Sequence, residues 1–296
     1  MLLSKDKPPI LIVGLPRSGT TWLASVLNTS KNIKLFHEPF NMDHVSEASP
    51  HWLKYLRADD NDLAFKHFCQ KVFSGKSNHP YIKCKLTGHY SRLKKRLSWL
   101  PGRVIVKDVH ACAALDWIDH NIAPQIVIIT RHPCGLASSW LRTFKSSQNN
   151  GRGRALNRLL AQPKLLEDYL HPFEDDLRNS DTFFDNIALY WGAIYYILHK
   201  QYQTHPNWIF ITHEELCRDP IKEYKELFNK LNLEWTSKTD QILATSTVAD
   251  SGSSYSPMRV SANEPSKWLK QLTPEQIEII QKKTSLFKLP FYSKEL

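Results

Sequence analysis

A buried strand followed by a glycine loop and a helix opens the sequence and constrains its fold most strongly. Residues 10–13, ILIV, are four consecutive apolar residues, typical of a strand covered on both faces. Glycine and proline then break the chain at residues 14–19, GLPRSG, and apolar residues at helical spacing begin with Trp22. This order predicts an anion-binding loop, because the free N–H groups and the dipole of the helix both point at it.

The side chains of this loop narrow the choice of anion. Gly14 and Gly19 keep the spacing of the nucleotide-triphosphate loop G-x-x-x-x-G-K-[ST], but Thr20 stands where that loop has its lysine. The nearby cation is Arg17, two residues before the second glycine. Such a loop suits a terminal group of lower charge that needs no metal ion. A P-loop kinase with an altered loop stays open as an alternative.

Four further apolar runs predict the rest of a parallel sheet. They begin at Ile33, Val104, Ile126 and Trp208. Helical patterns separate the runs, so we expect an α/β fold with a P-loop-like sheet of about five strands. We expect one domain over residues 1–296, with helical insertions on the substrate side at roughly 41–100 and 143–185. Loop breakers and segregated charges mark the second insertion as a cover or mobile lid over the site.

Polar residues follow several of these strands, at the sheet edge where ligands bind. Glu38 comes 21 residues after Arg17, beyond the second strand. Lys107 ends the third strand, where a lysine can stabilise developing negative charge. Arg131 follows the fourth strand and Ser139 lies eight residues later in the next helix, so both can turn towards a single anion. The planar fork of arginine suits phosphate oxygens.

Four segments together resemble one enzyme family. PRSGTTW, residues 16–22, closely resembles the 5′-phosphosulfate loop of sulfotransferases that use 3′-phosphoadenosine 5′-phosphosulfate (PAPS). RHPCGLASSWLR, residues 131–142, resembles their 3′-phosphate-binding motif. FHEPF, residues 36–40, and SKWLKQLTPEQ, residues 266–276, resemble segments of the carbohydrate and tyrosyl-protein branches. The resemblance implies a PAPS-dependent sulfotransferase with PAPS as sulfuryl donor and no metal ion.

The resemblance also implies roles for individual residues. Glu38 matches the catalytic glutamate, a general base, and Lys107 together with Arg17 matches groups that stabilise the leaving phosphate. His110 is a second candidate base, although two residues separate it from Lys107 where sulfotransferases of hormones and phenols have one. His213 stands where the family often has a tyrosine against the adenine ring. The implied cofactor-binding residues are Arg17, Ser18, Gly19, Thr20, Thr21, Trp22, Arg131, Ser139, His213, Arg259 and Lys267.

The charge of the chain points to an anionic partner without choosing one. Lysine and arginine number 39 against 29 acidic residues, a net charge of +10. The pattern from Trp52 to Arg103 predicts helices that are rich in basic residues with aromatic residues between them. Such a segment fits either an ordinary helical layer or a groove for a polyanion or sugar. No recognised nucleic-acid module is visible, so nucleic acid ranks behind these partners. A non-catalytic polyanion or nucleic-acid binder stays open as an alternative.

The remaining expectations concern compartment and acceptor. The five cysteines form no C-x-x-C pair, which fits a reduced compartment better than a disulfide framework or zinc site. The sequence has no apolar run of signal-peptide length at its start and no eighteen consecutive apolar residues, so we expect a cytoplasmic protein. We expect a hydroxyl-bearing acceptor. A glycan comes first because of the FHEPF segment, with a small molecule or a peptide tyrosine behind it.

Overall fold

A parallel sheet of five strands forms the centre of the computed structural model, which describes residues 7–84, 102–143, 151–248 and 265–292. The strands are β1 (Ile10–Val13), β2 (Ile33–His37), β3 (Arg103–Asp108), β4 (Gln125–Thr130) and β5 (Ile209–Thr212). Their order across the sheet is β2-β3-β1-β4-β5, and all neighbours are parallel. The α/β fold with a five-stranded parallel sheet is therefore confirmed, and each strand comes from one of the apolar runs.

Helices cover both faces of this sheet. Within the described ranges the α-helices are α1 (Thr20–Leu27), α2 (Leu63–Phe73), α3 (Pro80–Cys84), α4 (Leu115–Ile122), α5 (Pro133–Thr143), α6 (Gly151–Leu160), α7 (Pro163–Leu165), α8 (Glu174–Arg178), α9 (Phe183–Thr204), α10 (His213–Arg218), α11 (Pro220–Lys230), α12 (Ser237–Val248) and α13 (Pro274–Ser285). Short 3₁₀ helices are Ser46–His51, Cys112–Ala114, His171–Phe173 and Lys267–Lys270, and Leu166–Leu170 is a π-helical turn. Among these described helices, none combines the length and the apolar character needed to cross a bilayer.

Alternate side chains of the strands enter two apolar clusters, one on each face of the sheet. From β1, Leu11 and Val13 join the cluster that contains much of α9, whereas Ile10 and Ile12 join the cluster with α1 and α11. All four side chains are completely buried. Burying one side chain of this size is worth roughly 1.5–3 kcal/mol. The strand has no polar position because neither of its faces meets water.

Side-chain caps fix where several helices begin. Thr212 ends β5, and its side chain and that of Glu215 form a capping box that starts α10 at His213. Thr273 forms a second box with Gln276, and Pro274 is the first residue of α13. This last helix therefore has a complete capping box at its start. At His213, the same device places an imidazole directly at the carboxyl end of a strand.

The helical interpretation of residues 52–103 is wrong for its first part, because residues 52–62 contain no helix. The backbone N–H of Tyr55 donates to Oε1 of Gln162 at 2.7 Å, and Arg57 pairs with Glu167 and Asp168, each at 2.7 Å. The bond to Gln162 engages a backbone N–H that a helix would use, and the two ion pairs connect this segment to the second insertion. They also bring together basic and acidic charges that lie far apart in the sequence. Residues 85–101 lie outside the described ranges.

Candidate active site

The loop at residues 14–19 leads from β1 into α1 at the carboxyl edge of the sheet. Its last residue, Gly19, caps α1 in the left-handed region, with φ 93°. A Cβ at this position would lie 2.7 Å from Nδ1 of His213, so both the backbone angle and the packing require glycine. The first turn of α1 has no acidic residue and no side-chain cap. Its N–H groups have no acceptor within the helix, so this end of α1 attracts anions.

Tyr195 of α9 braces this loop from inside the protein. Its hydroxyl accepts the N–H of Leu15 at 3.2 Å and donates to the carbonyl of Ile129 at 3.0 Å. The hydroxyl of Ser18 lies 2.8 Å away and donates to Tyr195, whose own proton is already engaged. The Ser18 side chain is completely buried. A direct role for Ser18 in cofactor binding stays a prediction, whereas its part in shaping the loop is visible.

The motif that follows β4 contacts this loop directly. Nη1 of Arg131 donates to the carbonyl of Arg17 at 3.2 Å, and Nε of Arg17 donates to the hydroxyl of Ser139 at 3.0 Å. The indole of Trp140 donates to the carbonyl of Pro16 at 2.8 Å. The fold therefore joins two motifs that lie 114 residues apart, and it places two guanidinium groups next to the N-terminus of α1. This arrangement of positive charge fits a phosphate-bearing ligand.

The C-terminal segment packs against the same turn. Trp268 stacks on His132 with ring centroids 4.6 Å apart and an angle of 5° between the planes. The hydroxyl of Ser138 donates to the side chain of Gln271, which fixes the segment on α5. Lys267 is the first residue of the 3₁₀ helix that contains Trp268 and so lies close to the Arg131 turn. Arg259, the other candidate of this region, lies outside the described residues.

His213 and Trp22 lie side by side next to the loop. Their rings meet edge to face with centroids 6.2 Å apart, and both are largely buried. Thr20 is buried as well, whereas Thr21 is partly exposed. The structure thus gathers these predicted cofactor residues around α1, and which of them contact a nucleotide stays a prediction.

Glu38 and Lys107 form a buried ion pair where β2 and β3 end. His37 lies opposite Lys107 in the sheet register, and the N–H of Glu38 donates to the carbonyl of Lys107 at 2.7 Å. The ammonium of Lys107 donates to Oε1 of Glu38, and the two side chains are 3% and 15% exposed. Burial by itself raises the pKa of Glu38, but the charges of Lys107 and then His37 hold that pKa well below its usual range. Glu38 is therefore an ionised carboxylate in the free protein.

The second oxygen of Glu38 has its own partners. Oε2 accepts the side-chain N–H of Asn41 at 2.8 Å and the hydroxyl of Tyr81 at 3.1 Å. The ring of Tyr81 stacks on His44, with centroids 4.1 Å apart. Neither Asn41 nor Tyr81 is among the site residues predicted from the sequence. Asn41 could have been considered because it lies three residues beyond Glu38, but nothing in the sequence connects Tyr81 with Glu38.

Asp108 connects the turn after β2 with the turn after β3. Its Oδ2 accepts the N–H of Phe40 at 2.8 Å and its Oδ1 accepts the N–H of His110 at 2.7 Å. The side chain is completely buried, and burial raises the pKa of Asp108 to about 7. The residue holds the turn after β2 against the turn after β3, next to Glu38 and Lys107. Asp108 could have been identified in the sequence by its position directly after Lys107, at the end of a buried strand.

His110 lies beside the ion pair, with one ring nitrogen already engaged. The indole N–H of Trp52 donates to Nδ1 of His110 at 3.0 Å. Burial lowers the pKa of His110 to about 4, so the ring is neutral near pH 7. The proton of a neutral imidazole whose Nδ1 accepts a hydrogen bond resides on Nε2. With Nε2 protonated and Nδ1 occupied by Trp52, the His110 ring has no free lone pair for a further proton, whereas Glu38 is a carboxylate with two acceptor oxygens.

Known proteins were compared with this chain by sequence family and by structure. The family model described as "Sulfotransferase domain" matches residues 7–286. No curated protein sequence matches the chain significantly.

Solved structures of several sulfotransferases have a similar chain course. The sulfotransferase domain from the curacin biosynthetic pathway has a TM-score of 0.50 at 14% identity, covering 94% of this chain and 98% of that one. A mouse sulfotransferase complexed with PAP has a TM-score of 0.48 at 15% identity, covering 97% and 86%. The sulfotransferase domain of an olefin synthase from Synechococcus PCC 7002 has a TM-score of 0.47 at 16% identity, covering 94% and 96%. At these identities the likeness concerns the fold alone.

Proposed function

The chain belongs to the sulfotransferase domain family, and from this premise we propose that it transfers the sulfuryl group of PAPS to a hydroxyl group. The observation that carries the proposal is the pairing of Glu38 with Lys107 at the sheet edge that also holds Arg17 and Arg131. A base and three cations at one edge suit the transfer of an anionic group. Family membership supports this function over the kinase and the non-catalytic polyanion binder.

The cations around α1 support the binding of a nucleotide with two separate anionic groups. We assign the loop N–H groups and Arg17 to the 5′-phosphosulfate. The N-terminus of α1 lies at this loop, and its first turn has no acidic side chain that would repel an anion. Arg131 and Ser139 are assigned to the 3′-phosphate, and Arg17 already contacts both of them. His213 and Trp22 are assigned to the adenine side, beside Gly19.

Transfer requires a proton acceptor and a stabilised leaving group. Glu38 takes the proton of the acceptor hydroxyl while the hydroxyl oxygen forms its bond to sulfur. The bond between sulfur and the bridging oxygen breaks, and adenosine 3′,5′-bisphosphate leaves with the electron pair. Lys107 and Arg17 stabilise the negative charge that develops on its phosphate. Lys107 is paired with Glu38 in the free protein, and in the proposed reaction it turns towards the donor.

A glycan is the acceptor that we propose. The FHEPF segment supports it by resemblance, and the surroundings of Glu38 support it by their chemistry. Asn41, Tyr81 and His44 next to the carboxylate are polar or carry a polar edge. A site for an apolar acceptor would instead be lined mainly by hydrophobic side chains. Small molecules with hydroxyl groups and peptide tyrosines belong in the same acceptor screen.

The proposal is tested first by binding and then by transfer. Adenosine 3′,5′-bisphosphate should raise the melting temperature with saturation, because a ligand that binds only the folded state stabilises it. Arg131→Ala should weaken this response, and ATP with magnesium should give none of comparable affinity. An acceptor screen with ³⁵S-labelled PAPS then identifies the hydroxyl compound. Binding of ATP with magnesium but not of the bisphosphate would favour the kinase, and salt-dependent polyanion binding that survives Arg131→Ala would favour the non-catalytic binder.

A further inference from the structure

The two oxygens of Glu38 have different kinds of partner. Oε1 contacts the ammonium of Lys107 and lies 3.7 Å from Nε2 of His37. Oε2 accepts two neutral hydrogen bonds, from Asn41 at 2.8 Å and from Tyr81 at 3.1 Å. Lys107 must serve the donor in the proposed reaction, whereas Asn41 and Tyr81 have no such second task there. Oε1 can therefore exchange Lys107 for another partner, whereas Oε2 keeps its hydrogen bonds to Asn41 and Tyr81.

We propose that Tyr81 and Asn41 are positioning residues for the general base, which fix Oε2 of Glu38 so that Oε1 faces the acceptor hydroxyl once Lys107 turns to the donor. This inference rests on the proposed function of the same site. Neither residue needs to touch the substrate. They act through Glu38, which they orient and keep ionised.

The two positioning residues are themselves well anchored. The amide nitrogen of Asn41 also lies 3.3 Å from the hydroxyl of Tyr81, and its Oδ1 accepts the N–H of Asp43 at 3.1 Å. The backbone N–H of Asn41 donates to the carbonyl of Glu38 at 3.1 Å, which closes a tight turn. Stacking on His44 holds the Tyr81 ring. Because Asn41 and Tyr81 are themselves held in place, Glu38 loses little conformational freedom in the reaction.

The surroundings of Glu38 determine the sign of the expected pH effect. The charged and titratable groups that face it are Lys107, His37, His110, Asp108 and Tyr81. A hydrogen bond to the charged form lowers the pKa of a carboxyl group. When Lys107 turns away, the bonds from Tyr81 and Asn41 keep Glu38 ionised. Loss of either bond therefore raises the pKa of Glu38, and the enzyme loses activity at a higher pH during acidification.

The test compares Tyr81→Phe with Tyr55→Phe. Tyr81→Phe keeps the ring on His44 but removes the hydrogen bond, so we expect roughly tenfold lower kcat with an unchanged KM for PAPS. The acidic limb of the kcat profile should move up by about one pH unit. Tyr55→Phe removes a similar hydrogen bond, to Asp168 at 2.6 Å, outside the candidate site. It should leave kcat and the acidic limb unchanged.

A second variant and a direct titration keep the inference testable without turnover. Asn41→Asp places a like charge beside Glu38 and should raise its pKa further than Tyr81→Phe does. The pKa is read from the ¹³C shift of the carboxyl carbon in glutamate-labelled protein saturated with adenosine 3′,5′-bisphosphate, and Glu38→Gln identifies the signal. An unmoved carboxyl titration and pH limb in Tyr81→Phe would overturn the inference. A wild-type protein that transfers no sulfate would overturn the proposed function, while the titration would still decide the inference.

Discussion

Arg17 and Glu38, two of the candidate catalytic residues, have backbone angles in the left-handed region, with φ of 76° and 45°. This conformation costs a residue with a Cβ on the order of 1–3 kcal/mol and persists only where the surroundings enforce it. At Glu38 the enforcing bonds are its own N–H to Lys107, at 2.7 Å, and the N–H of Phe40 to Asp108, at 2.8 Å. The strain thus coincides with the ion pair, where position matters most.

Replacement of either member of the ion pair should separate binding from turnover. Glu38→Gln removes the base but keeps the volume, so kcat should fall by about 10²-fold or more. Lys107→Ala removes a charge that stabilises the leaving phosphate, with a loss of about 10²-fold or more. Titration calorimetry with adenosine 3′,5′-bisphosphate should show that both variants still bind the nucleotide.

The matched control for these variants is Glu47→Gln. Glu47 also pairs with a lysine, Lys71 at 2.6 Å, but both side chains are well exposed. An exposed pair of this kind contributes little to stability, so this variant should keep wild-type kcat. Undiminished kcat in both Glu38→Gln and Lys107→Ala would remove the catalytic assignment.

Among the elements, the long helix α9 supports the loop after β1, although the helix and the loop lie far apart in the sequence. Tyr195 reaches the loop after β1, and Trp191 one turn earlier donates to the carbonyl of Arg131 at 2.9 Å. A single helix therefore supports both the loop after β1 and the turn after β4. The apolar stripe of this helix packs in the core, since Ile187, Trp191, Ile194 and Leu198 are buried.

Tyr195→Phe should loosen the loop and weaken nucleotide binding. The change leaves buried groups of Leu15, Ser18 and Ile129 without their common partner. Each buried polar group left unsatisfied costs about 1–3 kcal/mol, so the free energy of unfolding should fall by at least that much. Urea denaturation measures the stability, and calorimetry with adenosine 3′,5′-bisphosphate measures the affinity.

Tyr196→Phe serves as the control on the same helix. The Tyr196 ring packs on Phe173 with centroids 4.9 Å apart, and its hydroxyl has no hydrogen-bond partner among the described residues. We expect nearly unchanged stability and affinity. Equal changes of stability and affinity in the two variants would show that the hydroxyl of Tyr195 does not support the loop.

On the scale of the whole molecule, the C-terminal segment closes over the turn that carries Arg131. His132 lies between Trp268, on which it stacks, and Tyr292, which meets it edge to face at 5.2 Å. The carboxylate of Glu214 accepts the N–H of His132 at 3.1 Å and the hydroxyl of Tyr292. Residues from the end of the chain thereby cover a motif at its middle.

This closure should make stability depend on pH. Burial, and then the charge of Arg131, lower the pKa of His132 from 6.5 to about 4. Between these values the unfolded chain binds more protons, so the stabilisation is complete above pH 6.5 and is lost as the pH falls towards 4. From pH 7 to pH 5, wild type should lose on the order of 1 to 2 kcal/mol more unfolding free energy than His132→Phe.

The measurement is urea denaturation of both proteins at the two pH values. Phenylalanine can still stack on Trp268, and other histidines with lowered pKa values, such as His110, are present in both proteins and cancel. Parallel pH dependence of the two proteins would contradict the expected contribution of His132.

The pattern of apolar runs was enough to predict the sheet and the strand end at which most candidate residues lie. Strands buried on both faces must be apolar throughout, so the runs at residues 10–13 and 126–130 identify them with ends correct to about one residue. Parallel strands present their carboxyl ends at one edge. Glu38, Lys107 and Arg131 could therefore be assigned to one site from their places in the chain.

Which side chains contact one another at this edge depends on how the helices and loops pack. The contact of Arg17 with Ser139, the support from Tyr195 and the hold of Tyr81 on Glu38 each join residues 43 to 177 positions apart. Hydrogen bonds between such distant side chains leave no periodicity in a sequence. The helix predicted for residues 52–62 is absent for the same reason. The bond of Tyr55 to Gln162 and the pairing of Arg57 with Asp168 outweigh the local preference for a helix. Local pattern fixes the elements, whereas the packing of those elements decides which polar groups become partners.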